Sequence, residues 1–426
     1  MTQPREVLRP LTALRFPAAL LVFTWHCVPT RRVSATFSFG YIGVAFFFLL
    51  SGFILTYTYR DAFRERFDLN AVRAFYAARI ARVYPLHIVT MVPMIACLAY
   101  LGPNPLWSGV DVSTRLHAVA AQAVLVQSWS ADRAIHFGAN GPAWSIAVEA
   151  FFYALFPLLA YALLRAFRAA TPRTVVLSAA AVWFVQTLLL WPQQAAVDDW
   201  RWYVFPPARL ADFVCGMLLA IAFLRRRDAS EISVRDAFAR PLRGSAQPLR
   251  GSARPLRGRV RLRLGASSVE VLALAAVACA VVASPFVPLS MRFSAWVMPA
   301  WGFLILVFAD GRGAISRALA HRALVRLGEV SFAFYLCHLA VIVAVGRIIA
   351  PERPLFAFVA LTVTLLVSFA LYHGVEQPLR ARVRSLLTRG GTTRSTAVPA
   401  SPPRSVPAAV RPARVSGTLL SASADA

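Results

Sequence analysis

The chain has 426 residues, 58% of them hydrophobic and only 15% charged, with a mean hydropathy of +0.60. Ordinary soluble domains carry roughly 45–50% apolar and about 25% charged residues, so this composition excludes a water-soluble globule. The net charge of +26 would suit nucleic-acid binding, but every basic residue is arginine and most lie between long apolar runs or in the C-terminal region. No nucleic-acid partner is therefore expected.

Without lysine there is no Schiff-base chemistry and no P-loop, and no G-x-G-x-x-G occurs. The cysteines, Cys27, Cys97, Cys215, Cys279 and Cys337, are odd in number and far apart, forming neither a disulfide framework nor a zinc spacing. No His/Asp/Glu cluster has ligand spacing, so no metal is expected.

A bilayer core of about 30 Å needs roughly 20 apolar residues at about 1.5 Å each. Ten stretches approach that length: Leu11–Val28, Phe39–Tyr59, Val83–Leu101, Trp144–Leu164, Val175–Leu190, Leu210–Leu224, Val269–Ala283, Phe293–Ala309, Val330–Ile349 and Leu355–Val375. The first holds Arg15 and His26 and lacks a small-residue cleavage site, so it reads as a retained span. An eleventh stretch, Leu116–Trp129, would be only about 21 Å long as a helix. If it is re-entrant or interfacial, the Arg60–Arg82 loop, Arg165, Arg168, Arg173, the Arg225–Arg263 loop and the Arg-rich tail all fall on the cytoplasmic side. Short cytoplasmic loops carry such an excess. The expected fold is all-α: a polytopic transmembrane helical bundle of about ten spans plus one short re-entrant or interfacial helix, with both ends cytoplasmic.

The expected membrane domain covers residues 8–378, with a basic low-complexity cytoplasmic loop at 225–264. That loop repeats Pro241-Leu-Arg-Gly-Ser-Ala-Gln, Pro248-Leu-Arg-Gly-Ser-Ala-Arg and Pro255-Leu-Arg-Gly, a period that breaks any helix. Residues 379–426 read as a disordered cytoplasmic tail. Both basic segments are placed to touch anionic lipid heads, or to act simply as solvated topogenic linkers.

Ionisable side chains are costly inside lipid and mark function by default. Arg15 and His26 stand eleven residues apart, nearly on one helix face and roughly 16 Å apart along the axis, with His26 expected near mid-bilayer. A histidine bonded between helices is an equal reading of His26. Arg79 and Arg82, at i and i+3, are expected at the cytoplasmic mouth of the third span, suited to phosphate binding or to plain anchoring. In Asn140-Gly-Pro-Ala-Trp144-Ser145-Ile-Ala-Val-Glu149, Trp144 suits the membrane interface, and Ser145, Glu149 and Tyr153 share one face. In the ninth span Ser331, Tyr335 and His338 stack similarly. Arg209 with Asp212, and Glu376, read as a structural salt bridge or cap.

Several blocks occur in a fixed order: Leu11-Thr-Ala-Leu-Arg15 with His26, Gly43-Val44-Ala-Phe-Phe-Phe-Leu-Leu-Ser51-Gly52-Phe53, Arg79-Ile-Ala-Arg82-Val-Tyr-Pro85 and Trp144-Ser145-Ile-Ala-Val-Glu149-Ala-Phe-Phe-Tyr153. Arg209-Leu-Ala-Asp212-Phe-Val-Cys-Gly216, Gly328-Glu-Val-Ser331-Phe-Ala-Phe-Tyr335-Leu-Cys-His338 and Glu376-Gln-Pro378 follow. Over most of Leu8 to Pro378 the chain thus resembles the acyltransferase 3 family of integral membrane acyltransferases, which includes O-acetyltransferases of lipopolysaccharide, exopolysaccharide and Nod factors and macrolide acyltransferases. Departures are Asp212 where Glu is usual, Phe16 where Gly is common and Cys337 where an aromatic residue is frequent.

The resemblance implies transfer of an acyl group, usually acetyl, from cytoplasmic acyl-CoA (acetyl-CoA) to a hydroxyl of a carbohydrate, glycolipid or related acceptor, in the cell (inner, cytoplasmic) membrane and with no tightly bound cofactor. It places Arg15, Arg79 and Arg82 at the donor, and Trp144 and Ser145 at the substrate. His26 is then the base or a transient acyl carrier, Glu149 orients the imidazole or binds acceptor hydroxyls, and Tyr335 and His338 are oxyanion donors. A proton-coupled transporter or exporter of a small polar metabolite or glycan precursor is the alternative that intramembrane His and Glu leave open.

Overall fold

The computed structural model describes residues 6–27, 40–100, 107, 109–191, 200–239 and 265–389, and every regular element among them is helical. Helix α1 spans Arg9–Cys27 and α2 Gly40–Phe63. Helix α3, Leu69–Tyr100, opens where the Asp68 carboxylate accepts the Asn70 backbone N–H at 2.9 Å. Helix α4, Val112–Ala123, is started by Asp111, which accepts the Thr114 N–H at 3.0 Å. Its 12 residues give about 18 Å, too short to cross, as expected for this segment.

A single turn, α5 (Arg133–His136), and a 3-10 turn over Gly141–Ala143 lead into α6, Trp144–Ala166. Next come α7 (Pro172–Leu190), the one-turn α8 (Trp200–Tyr203) and α9 (Leu210–Ala239). They are followed by α10 (Ala266–Ala283), α11 (Leu289–Arg292), α12 (Met298–Asp310) and α13 (Ala314–Leu319). The chain then runs through α14 (Arg322–Gly346) and α15 (Pro354–Leu371), a π-helical turn over Tyr372–Glu376, and α16 (Gln377–Arg389).

Each of the ten expected stretches overlaps one of these helices; Val28, Phe39 and Leu101 at the ends of three of them lie outside the described residues. Among the described residues eight helices are long and apolar enough to cross a membrane; α1, interrupted by Arg15, and the 13-residue α12 do not meet both conditions. The protein is a polytopic all-α membrane protein, and length and composition support eight spans where about ten were expected.

Three boundaries differ from the sequence reading. Helix α3 begins fourteen residues before Val83, so Arg79 and Arg82 lie inside it. Helix α9 continues to Ala239, where Arg60 on α2 holds Asp228 in an ion pair, so only residues 240–264 of the basic loop, including the repeat, lie outside the described residues. Helix α16 takes residues 379–389 out of the expected tail and packs against α3. Its Leu, Arg and Ala residues are good helix formers. Residues 390–426 lie outside the described residues.

Close helix contact depends on two glycine positions in α2 and α9. A Cβ on Gly52 would stand 2.1 Å from the Phe213 carbonyl oxygen, and one on Gly216 would stand 2.0 Å from that of Leu49. In lipid, where apolar helices gain nothing by leaving solvent, such backbone approach supplies the packing energy. Around it Phe152 stacks on Phe213 at 4.8 Å and Phe75 on Phe156 at 4.8 Å. This core holds α1, α2, α3, α6 and α14 around one cavity.

Candidate active site

The cavity measures about 170 Å³ and takes residues from all five helices. Six of the nine site residues expected from sequence line it: Arg15, Arg79, Arg82, Ser145, Glu149 and Tyr335. His26, His338 and Trp144 are not among its lining residues.

Its charge is mainly positive. Arg15 interacts electrostatically with Arg82, Glu376, Glu149 and Tyr153. The Arg79 guanidinium sits 5.8 Å from the Tyr59 ring centroid and 5.9 Å from those of Phe75 and Tyr153, with its buried Nε left without a hydrogen-bond partner. Weakly hydrated guanidinium tolerates this aromatic cage better than ammonium does. Three cations thus face one lining carboxylate, an arrangement that favours an anion.

Glu149 accepts hydrogen bonds from the Ser51 hydroxyl at 2.8 Å and the Tyr153 hydroxyl at 2.5 Å. Tyr153 is one turn below it on α6, whereas Ser51 comes from α2. These donors fix the carboxylate in the cavity wall. Ser145 Oγ and the Tyr335 hydroxyl lie 2.8 Å apart and each is 3.0 Å from the Pro142 carbonyl; with one hydrogen apiece, one hydroxyl donates to the carbonyl and the other to its partner.

The histidines form a separate pair beyond Tyr335. His26 stands in the last turn of α1, which spans Arg9–Cys27. Its Nδ1 is 2.9 Å from the Val22 carbonyl and 3.2 Å from Nε2 of His338. His338 in turn places Nδ1 2.6 Å from the Tyr335 carbonyl oxygen. Glu149 thus meets Ser51 and Tyr153, and the side chain within hydrogen-bond distance of His26 is His338. Tyr335 touches both regions, with its hydroxyl side facing the cavity and its carbonyl on the histidine pair.

Trp144 is buried within the bundle. Its ring lies 4.5 Å from that of Tyr203, and its carbonyl accepts the Ser128 hydroxyl at 2.7 Å, so it packs the start of α6. Arg209 and Asp212 form the expected structural pair at 2.8 Å, both fully buried. Among the described residues no group of three or more His, Cys, Asp or Glu side chains is placed to hold a metal ion.

Sequence reasoning did not assign two residues that the structure brings to the site. Ser51 is the Glu149 donor; its signal was a lone hydroxyl following a long apolar run in α2. Glu376, read as a cap or salt bridge, is buried in the π-helical turn with Oε2 unpartnered, and it interacts electrostatically with Arg82 and Arg15. π-Helical turns recur at functional sites.

The model of a family described as an acyltransferase domain matches residues 10–373. The chain is similar to the acyltransferase MdmB of Streptomyces mycarofaciens, 30% identical over 362 residues, which cover 80% of each chain. It is also similar to YrhL of Bacillus subtilis (strain 168), whose name assigns it provisionally as a peptidoglycan O-acetyltransferase. That match is 24% identical over 404 residues, covering 89% of this chain but only 56% of the relative. No solved structure matches. The matched region contains α2 through α15, all of α1 but its first residue, and every lining residue of the cavity, so the chain belongs to the acyltransferase 3 family and is a membrane enzyme that transfers acyl groups.

Proposed function

We propose that the enzyme moves an acetyl group from cytoplasmic acetyl-CoA to a hydroxyl of a carbohydrate or glycolipid acceptor, in the cell membrane. The observation that carries this reading is the cavity in which Arg15, Arg79 and Arg82 face Glu149. The guanidinium groups suit the phosphates of CoA, and a fixed carboxylate suits hydroxyl groups of a sugar. The provisional name of YrhL supports a carbohydrate acceptor.

In the transfer, the acceptor oxygen attacks the thioester carbonyl while His26 takes its proton. The tetrahedral intermediate collapses as the C–S bond breaks, and the CoA sulfur leaves with the proton that the imidazolium returns. The products are an ester and free CoA thiol. A positioned base contributes typically 10²–10⁴-fold to such a step. The thioester supplies the driving force, so no ion gradient is required.

Proteoliposomes of known orientation test the proposal. Acetyl-labelled CoA supplied on the face that carries Arg165 and Arg326 is expected to give labelled acceptor and free CoA, with or without an ionophore. His26→Ala and Glu149→Gln are expected to abolish labelling. Acceptor accumulation without acylation, or strict dependence on a proton gradient with no CoA released, would establish transport instead.

A further inference from the structure

We infer that His338 is a positioning residue that locks His26 in the Nδ1–H tautomer, leaving His26 Nε2 as the one basic nitrogen of the pair. The inference rests on the proposed role of His26 in acyl transfer, but its geometry stands apart from that role.

Carbonyl oxygens only accept hydrogen bonds, and this settles the protons. His338 Nδ1 lies 2.6 Å from the Tyr335 carbonyl, so Nδ1 carries the hydrogen and, in a neutral ring, Nε2 carries the lone pair. That Nε2 is 3.2 Å from His26 Nδ1 and can only accept from it. Independently, His26 Nδ1 lies 2.9 Å from the Val22 carbonyl, which also demands a hydrogen on Nδ1. One proton is shared between the two acceptors, and both assign the same tautomer.

The result is a relay of orientation: Tyr335 carbonyl, His338, His26. A base whose far nitrogen is held by a fixed acceptor is the arrangement by which catalytic histidines are kept in the correct tautomer. In this bundle the fixed acceptor is a second neutral imidazole and not a carboxylate. Glu149, the carboxylate in the cavity wall, is occupied by Ser51 and Tyr153. His338 is fully buried, and Phe334, one turn earlier on α14, lies over its ring at 6.4 Å in a stacked arrangement, which restricts its rotation. The role differs from oxyanion donation, because Nδ1–H is spent on Tyr335 and Nε2 has no hydrogen to offer.

Two measurements on the full chain test this. Nitrogen-15 histidine NMR in detergent micelles, with the His26 signal identified by its loss in His26→Gln, is expected to show the Nδ1–H tautomer in the wild type. The Val22 carbonyl already accepts the His26 backbone N–H within the helix and holds the ring hydrogen only as a shared acceptor, so a tautomer mixture is expected in His338→Leu. In His338→Gln, whose amide oxygen can replace the Nε2 acceptor, the single tautomer should return. Turnover should follow the same order: kcat down by about 100-fold in His338→Leu, at the low end of what a positioned base contributes, with KM for acetyl-CoA unchanged, and largely recovered in His338→Gln. An Nε2–H tautomer in the wild type, or unaltered tautomer and kcat in His338→Leu, would overturn the assignment. If His338→Leu does not fold, the wild-type spectrum and the His338→Gln turnover decide. Absence of acetyl transfer in the wild type would sink the functional reading and leave the tautomer result standing.

Discussion

Ser51 donates a hydrogen bond to Glu149 at 2.8 Å across 98 residues of chain, tying α2 to α6 at the wall of the cavity. A hydrogen bond to a charged group is worth about 1.5–3 kcal/mol, which corresponds to roughly 10–150-fold in rate when the group acts in the transition state. Ser51→Ala is therefore expected to lower acetyl transfer by roughly tenfold, and Glu149→Gln by more, because Tyr153 still holds the carboxylate after the loss of Ser51. Steady-state kinetics on purified variants checks the order; equal activity in Ser51→Ala and the wild type would contradict it.

The arginines should separate by environment. Arg15→Ala and Arg82→Ala are expected to weaken acetyl-CoA binding by about 1.5–3 kcal/mol for each charge-assisted hydrogen bond removed. Arg79 is different, since its guanidinium sits among the rings of Tyr59, Phe75 and Tyr153. Arg79→Lys keeps the charge but not the planar group, and it should behave like an alanine substitution. Calorimetric titration of each variant with CoA measures the effect, and wild-type affinity in Arg79→Lys would show that charge alone is required.

Helix approach should limit stability at Gly52 and Gly216. With carbonyl oxygens 2.1 and 2.0 Å from the position of an added Cβ, neither neighbour can yield without moving backbone. Gly52→Ala and Gly216→Ala are each expected to cost about 1–3 kcal/mol, the usual range for overpacking. Thermal unfolding in detergent should show lowered midpoints for both, and a midpoint equal to wild type would mean that α2 and α9 are free to separate.

His136 gives a pH dependence outside the spanning helices. Burial holds its imidazole below the usual value of 6.5, opposed by the hydrogen bond to the Ser130 carbonyl at 3.0 Å. The folded state therefore favours the neutral ring. Its contribution to stability is complete above pH 6.5 and is lost as pH falls below it, where the unfolded chain takes up the proton first. Between pH 7.5 and pH 5 the wild type should lose more thermal stability than His136→Gln. Identical losses would show that His136 does not titrate with unfolding.

Composition and periodicity were enough to read a polytopic helical bundle and to find the side chains that do not belong in lipid. Arg15, Arg79, Arg82, Ser145, Glu149 and Tyr335 were all legible, and the fold gathers them in one cavity. Local signals of this kind survive because helical repeat decides which residues share a face, and the cost of burying charge marks the exceptions. Neighbours across helices were not legible. The His26–His338 pairing joins residues 312 positions apart, Ser51 rather than His26 meets Glu149, and Trp144 packs on Tyr203. Those relations depend on the rotation and depth at which each helix packs, which are set by close approaches such as those at Gly52 and Gly216. No single helix carries that information; it arises only where two surfaces meet.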